Sequence, residues 1–308
     1  MKNLINSIIT ILFICSLTNA AEPIGNFLIK KDNLQVLHEK TFQISPGKAL
    51  KVETDQGDVM ITSWDKSEVY IKVLGNEKAK DKMDFSFNGS EDEIKIKAKR
   101  EGSFLNFFSS GINLRFEIKV PSNFNDYVST SGGDIRLGGV KGNNKLSTSG
   151  GDISVKSVSG KVDGSTSGGD ISLENSQGEL ELSTSGGDIT AKDFKGILLL
   201  STSGGDIHIK GSDAKISAET SGGDISLEYS GVNKGINLET SGGDIHILLP
   251  SDFNASAKLY TSGGEISSEF KGNNAVKISS SKFEADLNKG GERLSARTSG
   301  GDIILRQH

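Results

Sequence analysis

The hexapeptide Thr148-Ser149-Gly150-Gly151-Asp152-Ile153 decides the fold of this chain, because it recurs along most of the sequence. Copies begin at Thr130, Thr148, Thr166, Thr184, Thr202, Thr220, Thr240 and Thr298, and Thr261 begins a ninth copy with Glu265 in place of Asp. The first five intervals are 18 residues, the next two are 20 and 21, and the last is 37. We interpret the last interval as two cycles in which one copy of the motif is no longer recognisable. A period this short predicts that each repeat forms one turn of a coiled β structure.

Each cycle divides at its two glycines into two short strands. Leu146 and Thr148 share a face of the first strand, and Ile153 and Val155 share a face of the second. Stacked coils place equivalent residues about 4.8 Å apart, so that each strand pairs with the coil above and below. The sequence therefore predicts an all-β fold, a β-solenoid of about ten to fourteen coils of about 18 residues, with the motif threonines facing inward.

Two properties explain glycine at the corner between the strands. Glycine adopts a positive φ at little cost, and stacked corners leave no room for side chains. Both predict that Gly150 and Gly151 tolerate no larger residue.

The chain is divided by its patterns into five segments. These are a signal peptide at 1–20, an N-terminal segment at 21–45, an irregular N-terminal β module at 46–120, regular β-solenoid repeats at 121–249 and C-terminal solenoid repeats at 250–308. The irregular module opens with a degenerate copy of the motif at 54–59 and contains one short helix at 76–83. Pro46, Pro121 and Pro250 each precede a group of strands, which fits a chain entering a stack at its edge.

The first residues predict export. Lys2 supplies a positive charge, residues 4–17 are largely apolar, and small residues follow up to a cleavage point after Ala20. Cys15, the only cysteine, is an alternative lipidation site, but Ile14 precedes it where a small residue is expected. We expect a periplasmic, cell-surface or extracellular protein with no integral membrane span after signal removal.

The charge of the chain argues against a nucleic-acid partner. The formal net charge is −5, and removal of Lys2 leaves 34 basic and 40 acidic residues, a net charge of −6. Charges of both signs are interspersed along the whole length.

The hexapeptide series, the proline-led segments and the sequence Gly57-Asp58-Val59 resemble the bacterial "putative adhesin" family, also called the toastrack domain. The resemblance covers roughly residues 46–308. It implies an envelope or surface location and, in some relatives, a link to membrane-stress signalling. It supplies no catalytic residues.

The motif carboxylates are the first candidates for chemistry. Asp134, Asp152, Asp170, Asp188, Asp206, Asp224, Asp244, Glu265 and Asp302 all follow two glycines and should form an outward column. Either they accept hydrogen bonds from turn amides or from the preceding Ser, which we favour, or they hold calcium in a ladder. We assign no catalytic, cofactor-binding or metal-ligating residue and expect no cofactor.

The histidines do not suggest a metal site. His208 and His246 occupy the same outward position two coils apart, about 10 Å, which is too far to share one ion. His38 and His308 lie in poorly patterned ends.

We therefore expect an exported non-catalytic module of the cell envelope that binds envelope polysaccharide or protein. A structural spacer or a membrane-stress-related envelope protein is the alternative, and a polysaccharide-active β-helix enzyme is a third. Tyr229, Tyr260 and Phe270 would mark a binding surface if they are exposed and cluster. The chain ends on a strand at Leu305, which suggests self-association through that end of the solenoid.

Overall fold

A computed structural model describes residues 34–101 and 111–308. Within these ranges the chain forms strands β1 (Gln35–Gln43), β2 (Ala49–Thr54), β3 (Asp58–Trp64), β4 (Glu68–Gly75), β5 (Met83–Gly89), β6 (Glu93–Arg100), β7 (Leu114–Pro121), β8 (Asn125–Thr130), β9 (Ile135–Gly138), β10 (Lys141–Ser147), β11 (Ile153–Lys156), β12 (Ser159–Ser165), β13 (Ile171–Ser183), β14 (Ile189–Ser201), β15 (Ile207–Ser212), β16 (Ala214–Thr220), β17 (Ile225–Ser230), β18 (Ile236–Thr240), β19 (Ile245–Leu249), β20 (Ala255–Thr261), β21 (Ile266–Ser268), β22 (Gly272–Ser279), β23 (Lys282–Leu287), β24 (Arg293–Thr298) and β25 (Ile303–Gln307). Helix α1 spans Glu77–Lys82.

These strands form a β-solenoid with two parallel sheets, as the repeat predicts. We call the sheet whose strands lead into the motif threonines the Thr sheet, and the sheet whose strands begin at the motif isoleucines the Ile sheet. β13 and β14 bend between the two, so each contributes one half to either sheet. Residues 18 apart face each other on neighbouring strands, as Leu182 does Leu200.

The two sheets can be followed strand by strand. The order in the Thr sheet is β5-β6-β2-β8-β10-β12-β13-β14-β16-β18-β24-β20-β23-β22. The order in the Ile sheet is β1-β4-β7-β3-β9-β11-β13-β14-β15-β17-β19-β25-β21. The described part of the chain thus contains eleven parallel coils, from β6–β7 to β20–β21, within the expected range.

The core lies between the sheets, because inward and outward residues alternate along each strand. In β20 Ala255, Ala257, Leu259 and Thr261 are buried while the residues between them are exposed. A single coil could not bury this face, so the stack is the unit of stability.

The first corner, at the motif glycines, is held by steric exclusion. A Cβ atom on Gly169 would lie 2.0 Å from the carbonyl oxygen of Gly151 in the neighbouring coil, whereas one on Gly168 would lie 3.7 Å from its nearest neighbour, the oxygen of Ser149. None of the glycines in the nine copies of the hexapeptide has a positive φ, whereas Gly57 in the degenerate copy has φ of 115°. The expectation of a positive φ was therefore wrong for the hexapeptide, where close stacking alone explains the second glycine. The expectation that the first glycine tolerates no larger residue was also wrong, because a Cβ on Gly168 has room.

Positive φ angles occur instead at the second corner, between the Ile sheet and the Thr sheet. Ser157, Asn175 and Asp193 have φ of 56°, 50° and 52° in successive coils. Gly178, nearby in the same corner, has φ of 129°, and its Cβ would lie 1.9 Å from the oxygen of Gly160. This corner therefore depends on both properties of glycine.

At the N-terminal end, chain order and stacking order differ. The coil formed by β2 and β3 lies between the coil of β6 and β7 and the coil of β8 and β9. The strand entered after Pro46 and the strand entered after Pro121 are therefore inside the stack, and the expectation that these prolines mark its edge was wrong. β4 and β5 pair antiparallel with the outer coil, and β1 pairs with β4. Asn76 caps the N-terminus of helix α1, and its side chain accepts a hydrogen bond from the amide of Ala79.

The C-terminal end shows the same inversion. β24 lies between β18 and β20, and β25 lies between β19 and β21. The 37-residue interval does not contain a second parallel coil. Residues 272–287 instead form the antiparallel pair β22–β23, which covers β20. Leu305 is likewise not at the edge, so its position gives no support to self-association, and the three-residue strand β21 is the edge of the Ile sheet instead.

Among the described residues, no helix has the length and apolar character that crossing a membrane requires.

Candidate functional site

The motif threonines join neighbouring coils. The hydroxyl of Thr166 donates to the oxygen of Gly151 at 2.9 Å and accepts the amide of Gly169 at 3.3 Å. Equivalent bonds to the preceding coil recur from Thr148 to Thr298. The inward position of threonine is confirmed, and its hydroxyl is satisfied by backbone groups.

The motif carboxylates form a hydrogen-bonded column along the first corner. The amide of Asp170 donates to Oδ1 of Asp152 at 2.9 Å, and the amide of Asp188 donates to Oδ1 of Asp170 at 2.8 Å. The series runs from Asp58 to Glu265 with distances of 2.7–3.1 Å. Each Asp carboxylate of the column therefore holds the turn of the coil stacked next to it, as expected.

The one departure from Asp lies where the column stops. The amide of Glu265 donates to Asp302. Glu265 lies in the outermost parallel coil, so no further motif amide is available to donate to its carboxylate. The longer side chain is thus tolerated at the only position whose geometry is not fixed by a following coil.

The structure does not bring the candidate metal ligands together. His208 and His246 lie in register on either side of Ser226, as expected. Within residues 34–101 and 111–308, no three His, Cys, Asp or Glu side chains are grouped so that they could hold a metal ion.

The surface of the described residues includes three shallow grooves. One of about 370 Å³ follows the Asp column and includes Asp152, Asp170 and His208, and another of about 460 Å³ lies at the second corner beside Lys210 and His308. A third, of about 400 Å³, lies at the N-terminal end beside His38. The ring of His38 is 4.7 Å from that of Phe85, and burial, with the nearby Lys40, lowers its pKa.

The aromatic residues expected at a binding surface are not all exposed. Tyr229 and Phe270 are 0% and 5% exposed, whereas Tyr260 is 39% exposed. Tyr229 follows Ile225 and Leu227 at inward spacing, and its hydroxyl bonds Ala214 and Val232. The proposed cluster of these three was therefore wrong. Tyr127, which the sequence analysis did not single out, is 40% exposed on the Thr sheet.

The sequence analysis also missed a buried carboxyl group. Asp126 is 0% exposed and, among the described residues, neither of its oxygens has a hydrogen-bond partner. Burial raises its pKa to about 7. Counting back in steps of two from Thr130 and Val128 would have placed it inside.

Comparison with known proteins supports the fold. A family model described as Toastrack DUF4097 matches residues 48–306. No curated protein matches the chain.

Three solved structures are similar at low identity. A "putative adhesin" from Bacteroides fragilis is 13% identical, with a TM-score of 0.39, and the match covers 89% of this chain and 97% of that one. A "putative cell adhesion protein" from Clostridium sporogenes is 11% identical, with a TM-score of 0.24 and coverage of 89% and 100%. A "putative lipid binding protein" from Parabacteroides distasonis is 15% identical, with a TM-score of 0.38 and coverage of 87% and 96%. At these TM-scores the three structures support no conclusion about this chain.

Proposed function

Because this chain belongs to the Toastrack DUF4097 family, we propose that it is an exported, non-catalytic module of the cell envelope that binds envelope polysaccharide or protein through its outward sheet faces. One observation supports this most strongly. The Thr and Asp residues of the motif are engaged in joining coils, so the side chains left to meet another molecule are the outward ones of the two sheets and the exposed motif serines at the corner.

The Ser residues that precede the motif threonines illustrate such a face. Ser147, Ser165, Ser183 and Ser201 follow one another on neighbouring strands of the Thr sheet, with Ser129 before them. A row of short hydroxyl side chains leaves the sheet flat and presents donors and acceptors to a polar partner. A spacer role would need no such partner, and a polysaccharide-cleaving role would need a deeper groove with positioned acids.

Fractionation and co-sedimentation test the proposal together. The protein should be found in envelope or extracellular fractions with Ala21 as its N-terminus. Purified mature protein should sediment with isolated envelope polysaccharide or envelope protein and should release no reducing ends from the polysaccharide. Retention of intact Met1 protein in the cytoplasm would contradict the location, and release of reducing ends would contradict the non-catalytic role.

A further inference from the structure

One row of side chains on the Thr sheet is basic in a protein whose mature net charge is negative. Lys95, Lys51, Tyr127 and Lys145 are direct neighbours on four successive strands, β6, β2, β8 and β10. We call these four residues the lysine row. All four side chains point outward, and the row contains no acidic residue. The next residue along it is Asp163, where the sign of the charge changes.

Two lysines of this row, Lys51 and Lys95, share a carboxylate, and the third, Lys145, pairs with Asp163 at 2.7 Å. Glu53 lies 3.0 Å from the ammonium of Lys51, 3.1 Å from that of Lys97 and 3.8 Å from that of Lys95. Hydrogen bonds from Lys51 and Lys97 lower the pKa of Glu53 to about 2. Three cations thus meet one anion, which leaves an excess of positive charge beside Tyr127.

Tyr127 adds an apolar ring between the cations. Its side chain is 40% exposed, and Lys51 and Lys145 flank it on the two neighbouring strands. Tyrosine presents an apolar ring face and a polar hydroxyl, which suits a ligand with both characters.

We infer that the lysine row binds an acidic polysaccharide, with a sugar ring against Tyr127 and acidic groups against Lys51 and Lys145. The step between strands is about 4.8 Å, comparable to the length of one sugar ring, so successive sugars of an extended chain can meet successive strands. This inference rests on the proposed function and names its ligand class. A bilayer fits less well, because membrane-bound surfaces insert large apolar side chains and this row has a single tyrosine.

The same sheet offers a matched control at its other end. Tyr260 is 39% exposed, and the guanidinium of Arg297 lies 5.4 Å from its ring. Lys282 lies on its other side but pairs with Glu284 at 2.8 Å, and the row continues through Arg297 to Glu239 and Glu219. Exposure and flanking cations are thus shared, while the surplus of three lysines over the one carboxylate of Glu53 is not.

Affinity electrophoresis with alginate, a polyuronate, and with neutral dextran tests the inference on the mature protein. Wild type should be retarded by alginate and not by dextran, and the retardation should weaken as salt rises. Tyr127→Ala, and separately Lys51→Gln with Lys145→Gln, should each weaken alginate binding about tenfold, the size expected of central contact residues. Tyr260→Ala with Arg297→Gln should leave it unchanged. Lys97 still pairs with Glu53 in the lysine variant, so the fold should persist.

Several results would overturn the inference. Equal alginate binding by wild type and both lysine-row variants would place the site elsewhere and leave the proposed function standing. Failure of wild type to bind alginate, together with no binding to envelope polysaccharide or protein, would contradict both. Binding only to phosphatidylglycerol vesicles, or a change of oligomeric state in the variants without alginate binding, would assign the lysine row to a membrane or to a second copy of the chain.

Discussion

The middle coils and the two ends of this solenoid use the same corner but differ in how the chain reaches it. Between Lys141 and Ser230 each coil stacks on the one that precedes it in sequence. At the ends the order differs. The coil of β2 and β3 is stacked between two coils that follow it in sequence, and the coil of β24 and β25 is stacked between two coils that precede it. The hexapeptide therefore determines the structure of a single coil. The end segments determine the order in which the terminal coils are stacked.

The ends also differ from the middle in that the stack of parallel coils terminates there. In the middle, every strand has a parallel partner on both sides, so nothing limits the length of the stack. At the N-terminal end β4 and β5 pair antiparallel with the last coil, and at the C-terminal end β23 does the same on the Thr sheet. Covering strands of opposite direction prevent another parallel coil from adding in register.

The largest effect is expected from the second motif glycine in the middle of the stack. Gly169→Ala places a Cβ 2.0 Å from a backbone oxygen that cannot move without shifting its own coil, so we expect destabilisation by about 3 kcal/mol or more. Gly168→Ala, with its nearest neighbour at 3.7 Å, should change the free energy of unfolding by less than about 1 kcal/mol. Denaturant unfolding of both variants measures the difference.

The same substitution at the end sharpens the comparison. A Cβ on Gly264 would lie 2.2 Å from the oxygen of Gly301, but no further parallel coil stacks on this corner. Gly264→Ala should therefore cost less than Gly169→Ala, because the terminal corner can shift outward. Equal costs for Gly168→Ala and Gly169→Ala would contradict the close stacking of corners.

The next largest effect concerns Asp126 in β8. Here a carboxyl group occupies an inward position that is apolar in most of the middle coils. Its pKa is about 7 in the folded protein against an ordinary value of 3.8. Between these values the folded state holds a proton that the unfolded state has lost, so stability falls as pH rises from about 4 to 7 and is then constant. Asp126→Asn should remove this loss and stabilise the protein at pH 8 by roughly 2 to 4 kcal/mol, with little gain at pH 4.

The amide in this variant adds a donor on the strand beside that of Asn144, whose buried Oδ1 likewise has no partner among the described residues. Thermal unfolding from pH 4 to 8 measures the effect, with Asp65→Asn, at an exposed position, as control. A wild-type profile that is flat over this interval, or one that Asp126→Asn leaves unchanged, would show that Asp126 does not titrate there.

The smallest effect is expected along the Asp column. Asp170→Asn keeps an oxygen that can accept the amide of Asp188, so stability should change little, whereas Asp170→Ala should cost about 1 kcal/mol. Glu265→Ala, at the end of the column, is the matched control and should be neutral. Melting temperatures should be the same with chelator and with millimolar calcium. A calcium-dependent rise that is lost in Asp152→Asn with Asp170→Asn would assign the column to metal binding.

The sequence predicts the coil well because its determinants are local. The alternation around Leu146 and Val155 determines which side chains face inward, and the Asp that follows the glycines can reach the turn amide of the next coil. The degenerate copy at 54–59 also belongs to the column, since Asp58 accepts the amide of Asp134. These features depend on one coil and its neighbour alone.

The stacking order at the ends could not be predicted, because it depends on pairing between distant segments. Nothing local to Gly300 or Leu305 indicates that β25 lies between β19 and β21. Other errors were avoidable. The inward position of Tyr229 follows from its spacing of four residues from the motif isoleucine Ile225, and that of Asp126 from its spacing of four residues from the motif threonine Thr130.

The central claim is that the middle of this protein is a stack of interchangeable 18-residue coils, and a pair of deletions tests it most directly. Removal of residues 166–183 joins Ser165 to Thr184, which brings an equivalent threonine and Gly-Gly corner into register with the coil below. Removal of the nine residues 166–174 instead places a strand where its partner turn belongs. We predict that the first variant unfolds cooperatively at close to the wild-type melting temperature and that the second has no cooperative transition. Equal melting temperatures for the two deletions, or loss of the folded state in both, would contradict the claim.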